Sequence, residues 1–191
     1  MVLVSGLLFV CTGNLCRSPL AEALTRAAMH SRFGLGPDLI DIASAGTQGL
    51  DSQPMWPLAA AELARRGVHC PGFRSRALGR AAVLSRDLVL TATLRHRNEL
   101  VSTYPAVRGR VFSWREFAWL LSDVGVTDVS GLTPAQRLRA LPDMATKQRD
   151  SSPSRSIEAM DVADPMGGDA ERFRTAAEQI AESVGALVSL L

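Results

Sequence analysis

The chain is poor in cysteine, nearly devoid of lysine and has no long apolar run. Three cysteines, Cys11, Cys16 and Cys70, are too few and too odd in number for a disulfide framework, and point to a reducing compartment. No stretch approaches the roughly 20 apolar residues of a membrane span. Residues 1–10 are apolar, but no basic segment precedes them and no small-residue cleavage site follows. They read as a strand rather than a signal peptide, and the expected location is cytoplasmic. Lys147 is the only lysine, and the net charge is +2. That is too mild to argue for nucleic acid or a membrane surface. Tyr104 is the only tyrosine. No Gly-Lys-[Ser/Thr] sequence follows a glycine-rich loop, which excludes a nucleotide-binding Walker loop. No internal repeat is visible.

What is present is a globular composition: 191 residues, 47% hydrophobic and 21% charged. This suits one domain with a sizeable core. The most informative stretch runs from Phe9 to Glu22, F-V-C-T-G-N-L-C-R-S-P-L-A-E. The apolar run from Leu3-Val4 through Leu7-Leu8-Phe9-Val10 precedes it and predicts a strand buried on both faces. Ser18-Pro19 then predicts a helix start, serine as cap and proline at the first helical position. Strand, short glycine-containing loop and helix together point backbone N–H groups at a phosphate-like anion. Cys11 stands at the floor of that loop, where the N–H groups, Arg17 and the helix N-terminus favour a thiolate. Arg17 suits bidentate binding of two phosphoryl oxygens. Ser18 can donate to the sulfur, and Gly13 and Asn14 tolerate positive φ. Phosphate binding is therefore expected from Thr12, Gly13, Asn14, Leu15, Cys16, Arg17 and Ser18.

The rest alternates strand and helix. Helix is expected after Pro19, with Leu20, Leu24, Ala27 and Ala28 at helical spacing, stopped by Phe33-Gly34 and Gly36-Pro37. Leu39 to Ala43 reads as a strand, followed by a loop at Ser44-Ala45-Gly46-Thr47. A helix is expected from Pro54 to about Arg66, a strand at Asp87–Thr91 and a helix at Leu94–Val101. A strand at Val107–Phe112 and helices at Trp114–Leu121 and about Asp169–Leu190 complete the plan. The pattern predicts an α/β fold, a three-layer doubly wound sheet of about four parallel strands with helices on both faces. Ligands in such folds sit past the carboxyl ends of the strands, where Cys11 falls. Residues 122–156 fit this plan least. Thr133-Pro134 through Leu141 can form one helix, and Asp150–Ser156 is polar. A mere insertion is the preferred reading of the segment over a lid or partner site.

The string V-C-T-G-N-L-C-R-S-P-L-A-E, a few residues into the chain, resembles the signature of the low-molecular-weight protein tyrosine phosphatases of bacterial type. Ser44-Ala45-Gly46-Thr47 resembles that family's segment after its second strand. The resemblance implies a metal-independent, cofactor-free phosphomonoesterase acting on phosphotyrosine of a protein substrate through a cysteinyl-phosphate. Cys11 is then the nucleophile and Arg17 the phosphate binder. Asp164 is the general acid, since it directly precedes Pro165 as the family's acid does. Asp161 is the alternative, read as a surface charge. The implied unit is one phosphatase domain over 1–191 with an inserted segment at about 122–156.

Departures from the family pattern bear on substrate. Met166 and Gly167-Gly168 follow Asp-Pro where many members place an aromatic, leaving strict phosphotyrosine preference open. Phe73 replaces a histidine that supports the loop asparagine in many members. Leu15 stands where phosphoarginine-selective members carry threonine, which argues for an aryl phosphate. Cys16 resembles a redox partner that traps the nucleophile as a disulfide, with a buried inert thiol as the equal alternative. Trp56 falls where an aromatic wall is common. Trp114, Phe117 and Trp119 read as core or surface of a helix, and His69 and Cys70 as structural. Phosphoarginine hydrolysis, arsenate reduction and a non-catalytic phosphate-binding module are the other readings. A zinc site from Cys11, Cys16 and the His69-Cys70 pair is a poor one, because adjacent ligands make a poor second knuckle.

Overall fold

The computed structural model describes residues 5–34, 40–122, 124–151 and 155–191. The expected strand start at Leu3-Val4, the stop at Gly36-Pro37, Leu39 and part of the polar 150–156 stretch lie outside these. Among the described residues, four strands form one parallel sheet: β1 (Ser5–Cys11), β2 (Ile40–Gly46), β3 (Leu88–Thr91) and β4 (Val111–Ser113). Their order is β2-β1-β3-β4. The chain thus builds outward from β1 in one direction and then in the other, and the switch point falls between β1 and β3.

Every residue of β1 is buried, as a strand sandwiched between helical layers requires. Its alternate side chains feed two cores. Leu7 and Phe9 point into a large one with Leu88, Leu90 and Phe112, while Leu8 and Val10 point into a smaller one with Val89, Val83, Leu100 and Val107. Helices α1 (Arg17–Phe33), α2 (Pro57–Arg65), α5 (Trp114–Leu120) and α8 (Ala170–Leu190) pack together with the large core. Helices α3 (Arg80–Leu84) and α4 (Leu94–Thr103) cover the smaller one. Helix α8 buries Phe173, Ala176, Ala177, Ile180, Val184 and Leu187, the stripe its spacing predicts.

Several boundaries differ from expectation for local reasons. α2 begins at Pro57, not Pro54. Trp56, immediately before a proline, is held extended at φ −58°, ψ 135°, so no helix can run through it. Ser44-Ala45-Gly46 is strand, paired with Phe9, Val10 and Cys11; the loop begins only at Thr47. Val107 belongs to a 3₁₀ turn over Pro105–Arg110, and β4 starts at Val111. Trp114 and Phe117 are buried core residues.

The segment least like the plan is built into the body of the molecule. α6 (Pro134–Ser151) opens with the expected threonine: Thr133 Oγ1 accepts from Gln136 N at 3.3 Å, and Gln136 Oε1 accepts from Thr133 N at 2.9 Å. It continues through Pro142, past the expected end at Leu141. Loss of one backbone hydrogen bond there is outweighed by Leu138, Leu141 and Ala145, all fully buried. Near its start, Ala135 O accepts from Ser5 Oγ at the amino end of β1 (2.8 Å). Near its end, Arg149 pairs with Glu116 of α5 at 3.0 Å. α6 thus carries the chain from the amino ends of the strands towards their carboxyl ends.

From there the chain crosses the tops of the strands. α7 (Ile157–Met160) meets the end of β4, where Ser113 Oγ donates to Met160 O at 2.7 Å. Val162 N donates to Ala92 O just past β3 (2.9 Å). The next residues reach the loop that follows β1.

Candidate active site

Cys11 closes β1, and residues 12–16 form the loop before α1. Cys16 occupies the cap position of α1 without a side-chain cap bond. Ser18, expected to cap, lies inside the first turn instead, and its hydroxyl turns into the site. It stands 3.0 Å from Cys11 Sγ and accepts from Asn14 Nδ2 at 2.8 Å. With Asn14 donating to that oxygen, the Ser18 hydrogen can go to the sulfur or, at a longer 3.4 Å, to Ala45 O. The uncapped N–H groups of the first turn stay free for an anion.

The loop conformation depends on Asn14, which has φ 54°. Gly13, also expected to exploit positive φ, does not have it. Asn14 is fully buried and saturated: Nδ2 donates to Ser18 Oγ and Ser44 Oγ, and Oδ1 accepts from Arg76 N at 2.8 Å. Behind it Ser44 Oγ donates to Glu22 Oε2 at 2.6 Å. Phe73 packs in the hydrophobic core. The polar support that its substitution for histidine puts in doubt is supplied by Ser44 and Glu22. Gly46 lies directly beneath the loop. A Cβ there would come within 2.5 Å of Thr12 O and 2.8 Å of Asn14 N, both backbone atoms.

The chain crossing the strand tops delivers Asp164 to this loop. Arg17, only 4% exposed, donates from Nη1 to Val162 O at 3.2 Å and from Nη2 to Asp164 Oδ2 at 2.7 Å. The Asp164 side chain is 49% exposed, so water screens the pair and it contributes little to stability. Met166, two residues on, accepts from the Cys16 thiol at 3.2 Å between sulfurs. Burial first, then the neighbouring Cys11 and Asp164, push the Cys16 pKa up to about 12. Cys16 is therefore a protonated donor near neutral pH.

A cavity of about 260 Å³ is lined by Cys11, Thr12, Gly13, Leu15, Cys16, Arg17, Asp164 and Met166. Asn14 and Ser18 are buried behind it. Trp56 is exposed and does not line this cavity, although its backbone N–H donates to Leu15 O at 2.9 Å. Asp161 is not a plain surface charge: Oδ1 accepts from Leu94 N at 2.7 Å and so caps α4. Burial raises its pKa, with that backbone hydrogen bond opposing. His69 and Cys70 are exposed beyond α2. Among the described residues, no group of three or more His, Cys, Asp or Glu side chains is set to hold a metal ion, and no helix is long and apolar enough to cross a membrane.

Sequence reasoning missed His96. It is 6% exposed, and its ring bridges Thr12 Oγ1 (Nε2, 2.9 Å) and Thr93 Oγ1 (Nδ1, 2.7 Å). The available signal was position: Thr93 to His96 opens a helix directly after β3, across the switch point from Cys11.

Comparison with known proteins agrees with this geometry. The profile of the low molecular weight phosphotyrosine protein phosphatases matches residues 6–130. The chain is 32% identical over 116 residues to the low molecular weight protein-tyrosine-phosphatase Etp of Escherichia coli, covering 61% of this chain and 72% of that one. It is 33% identical over 111 residues to a protein-arginine-phosphatase of Bacillus subtilis, covering 58% and 71%. Among solved structures, the low molecular weight protein tyrosine phosphatase from T. tengcongensis aligns with a TM-score of 0.69 and 28% identity, over 98% of this chain and 99% of that one. The chain belongs to the low molecular weight phosphotyrosine protein phosphatase family and is a phosphatase of that family.

Proposed function

We propose that the protein hydrolyses phosphotyrosine in protein substrates through a cysteinyl-phosphate on Cys11. The phosphoryl group sits on the loop N–H groups and the start of α1, with Arg17 across its oxygens. Cys11 Sγ attacks phosphorus. Asp164 gives its proton to the departing phenolic oxygen, worth about 10²–10⁴-fold. As a carboxylate it then activates the water that cleaves the thiophosphate, and Ser18 donates to the sulfur as it leaves. One observation carries this reading: Asp164 stands 2.7 Å from Arg17 in the cavity that holds Cys11. Because the carboxylate is half-exposed, releasing Arg17 to an arriving phosphate costs little.

A second reading, phosphoarginine hydrolysis, is favoured by the arginine phosphatase relative, whose identity matches that of the tyrosine phosphatase. Overall identity therefore does not decide between them. Leu15 and Met166 on the cavity wall offer apolar surface to a ring, and support the aryl ester. The test is phosphate release from phosphotyrosine, phosphoserine and phosphoarginine peptides, with Cys11→Ser as control. Release from phosphotyrosine alone, lost in the control, is expected. Comparable rates on phosphoarginine would replace the substrate and keep the mechanism.

A further inference from the structure

We infer that His96 is a positioning residue that turns the Thr12 hydroxyl into a hydrogen-bond donor aimed at the bound phosphoryl group. The inference rests on the reading that the Cys11 loop holds such a group.

Consider the donors one by one. Thr93 Oγ1 accepts the backbone N–H of His96 at 3.2 Å, which caps α4. The same oxygen lies 2.7 Å from His96 Nδ1, within reach to donate its own hydrogen. Donated there, it fixes the imidazole proton on Nε2. Nε2–H then donates to Thr12 Oγ1 at 2.9 Å. The Arg17 guanidinium approaches the same oxygen at 3.5 Å. Thr12 Oγ1 is thus an acceptor on its protein side, and its single hydrogen is left for the cavity it lines with Cys11 and Arg17. A phosphoryl oxygen there gains a donor besides the backbone N–H groups.

A neutral ring makes the tautomer decisive: it donates to Thr12 only if its one proton sits on Nε2, which a hydrogen bond donated by Thr93 to Nδ1 enforces. Burial first, then the charges of Arg17 and Arg95, lower the His96 pKa to about 4, with Asp164 opposing. The ring therefore keeps one proton through the neutral range. His96 touches no reacting atom; it acts through Thr12.

Two measurements on the intact protein test this. The first is the ¹⁵N NMR spectrum of the His96 imidazole near neutral pH, assigned by its loss in His96→Gln. The expected ring is neutral with its proton on Nε2; a neutral ring with its proton on Nδ1 would overturn the relay. The second compares Thr12→Val, His96→Ala and the double variant for kcat/KM on a small aryl phosphate and for affinity towards inorganic phosphate. Each single change is expected to lower both by about tenfold, as loss of a hydrogen bond to a charged group does. The double variant should be no worse than the poorer single one, and His96→Gln, which keeps a donor near the Nε2 position, should recover most of the loss. Losses that multiply in the double variant, or His96→Ala equal to wild type, would overturn the proposal. If the wild type turns over no phosphate ester, the proposed function fails, while the tautomer and the inorganic phosphate affinities still decide the relay.

Discussion

At the scale of single residues, the site is a set of polar atoms each with an assigned task. Asn14 holds the loop, Ser18 serves the sulfur, Arg17 spans to Asp164 and Cys16 ties Met166 down. Asp164→Asn should lower kcat on a phosphotyrosine peptide by about 10²–10⁴-fold while phosphate still binds; a variant with wild-type kcat would remove Asp164 from the chemistry. The two loop cysteines should separate under an alkylating agent near neutral pH. Cys16 is a thiol there and should remain unmodified, whereas Cys11 should react and be shielded by inorganic phosphate. Peptide mapping that found Cys16 modified first would contradict the assignment. His96 adds a pH effect. Its folded pKa lies below its unfolded one, so its contribution to stability is complete above about pH 6.5 and is lost as pH falls towards about 4. The upper bound is roughly 3.5 kcal/mol, at about 1.4 kcal/mol per pKa unit. Denaturant unfolding as a function of pH checks this, since His96→Gln should flatten the slope between those limits.

At the scale of elements, the site's precision comes from backbone supporting backbone. Gly46 ends β2 beneath the loop with no room for a Cβ. Gly46→Ala should therefore push the loop out of register and cost about 10²-fold in kcat/KM, with the far side of the fold intact by circular dichroism. Wild-type activity in that variant would mean that the loop tolerates displacement. The long helix α6 predicts the opposite pattern. Leu141→Ala removes a fully buried side chain and should cost about 2–5 kcal/mol of unfolding free energy. Because Leu141 lies away from the cavity, kcat/KM of the folded protein should stay near wild type. The helices and strands on either side of β1 were legible because their apolar spacing answers to one local period each. The extension of α6 was not, since Pro142 is a stop signal in isolation and only the buried Leu138-Leu141-Ala145 stripe overrides it. The start of β4 was misread for the same reason: Val107 is apolar and fully buried, yet serves the core from a 3₁₀ turn.

At the scale of the whole molecule, the switch point between β1 and β3 explains why distant segments meet. Cys11 to Ser18 could be read from one contiguous string, because strand, loop and helix there are neighbours in sequence. Asp164 could be named only through resemblance, since the crossing of the strand tops that delivers it depends on contacts such as Val162 with Ala92 and Ser113 with Met160. His96 was invisible for the same reason: its partner Thr12 is 84 residues away, and no local pattern marks the pair. The Glu22–Ser44–Asn14 support was hidden likewise, since the substituted Phe73 suggested a gap that another element fills. In the proposed mechanism these long-range meetings serve a covalent intermediate, and that intermediate is the most direct thing to measure. Asp164→Ala, mixed briefly with 4-nitrophenyl phosphate, whose phenolate leaves without a proton, and quenched, should carry one phosphoryl group on the peptide containing Cys11, as shown by mass spectrometry. Cys11→Ser should not carry phosphate there as a turnover intermediate. Phosphotyrosine hydrolysis by the wild type with no phosphoryl group ever found on Cys11, even when Asp164 is removed, would contradict the account.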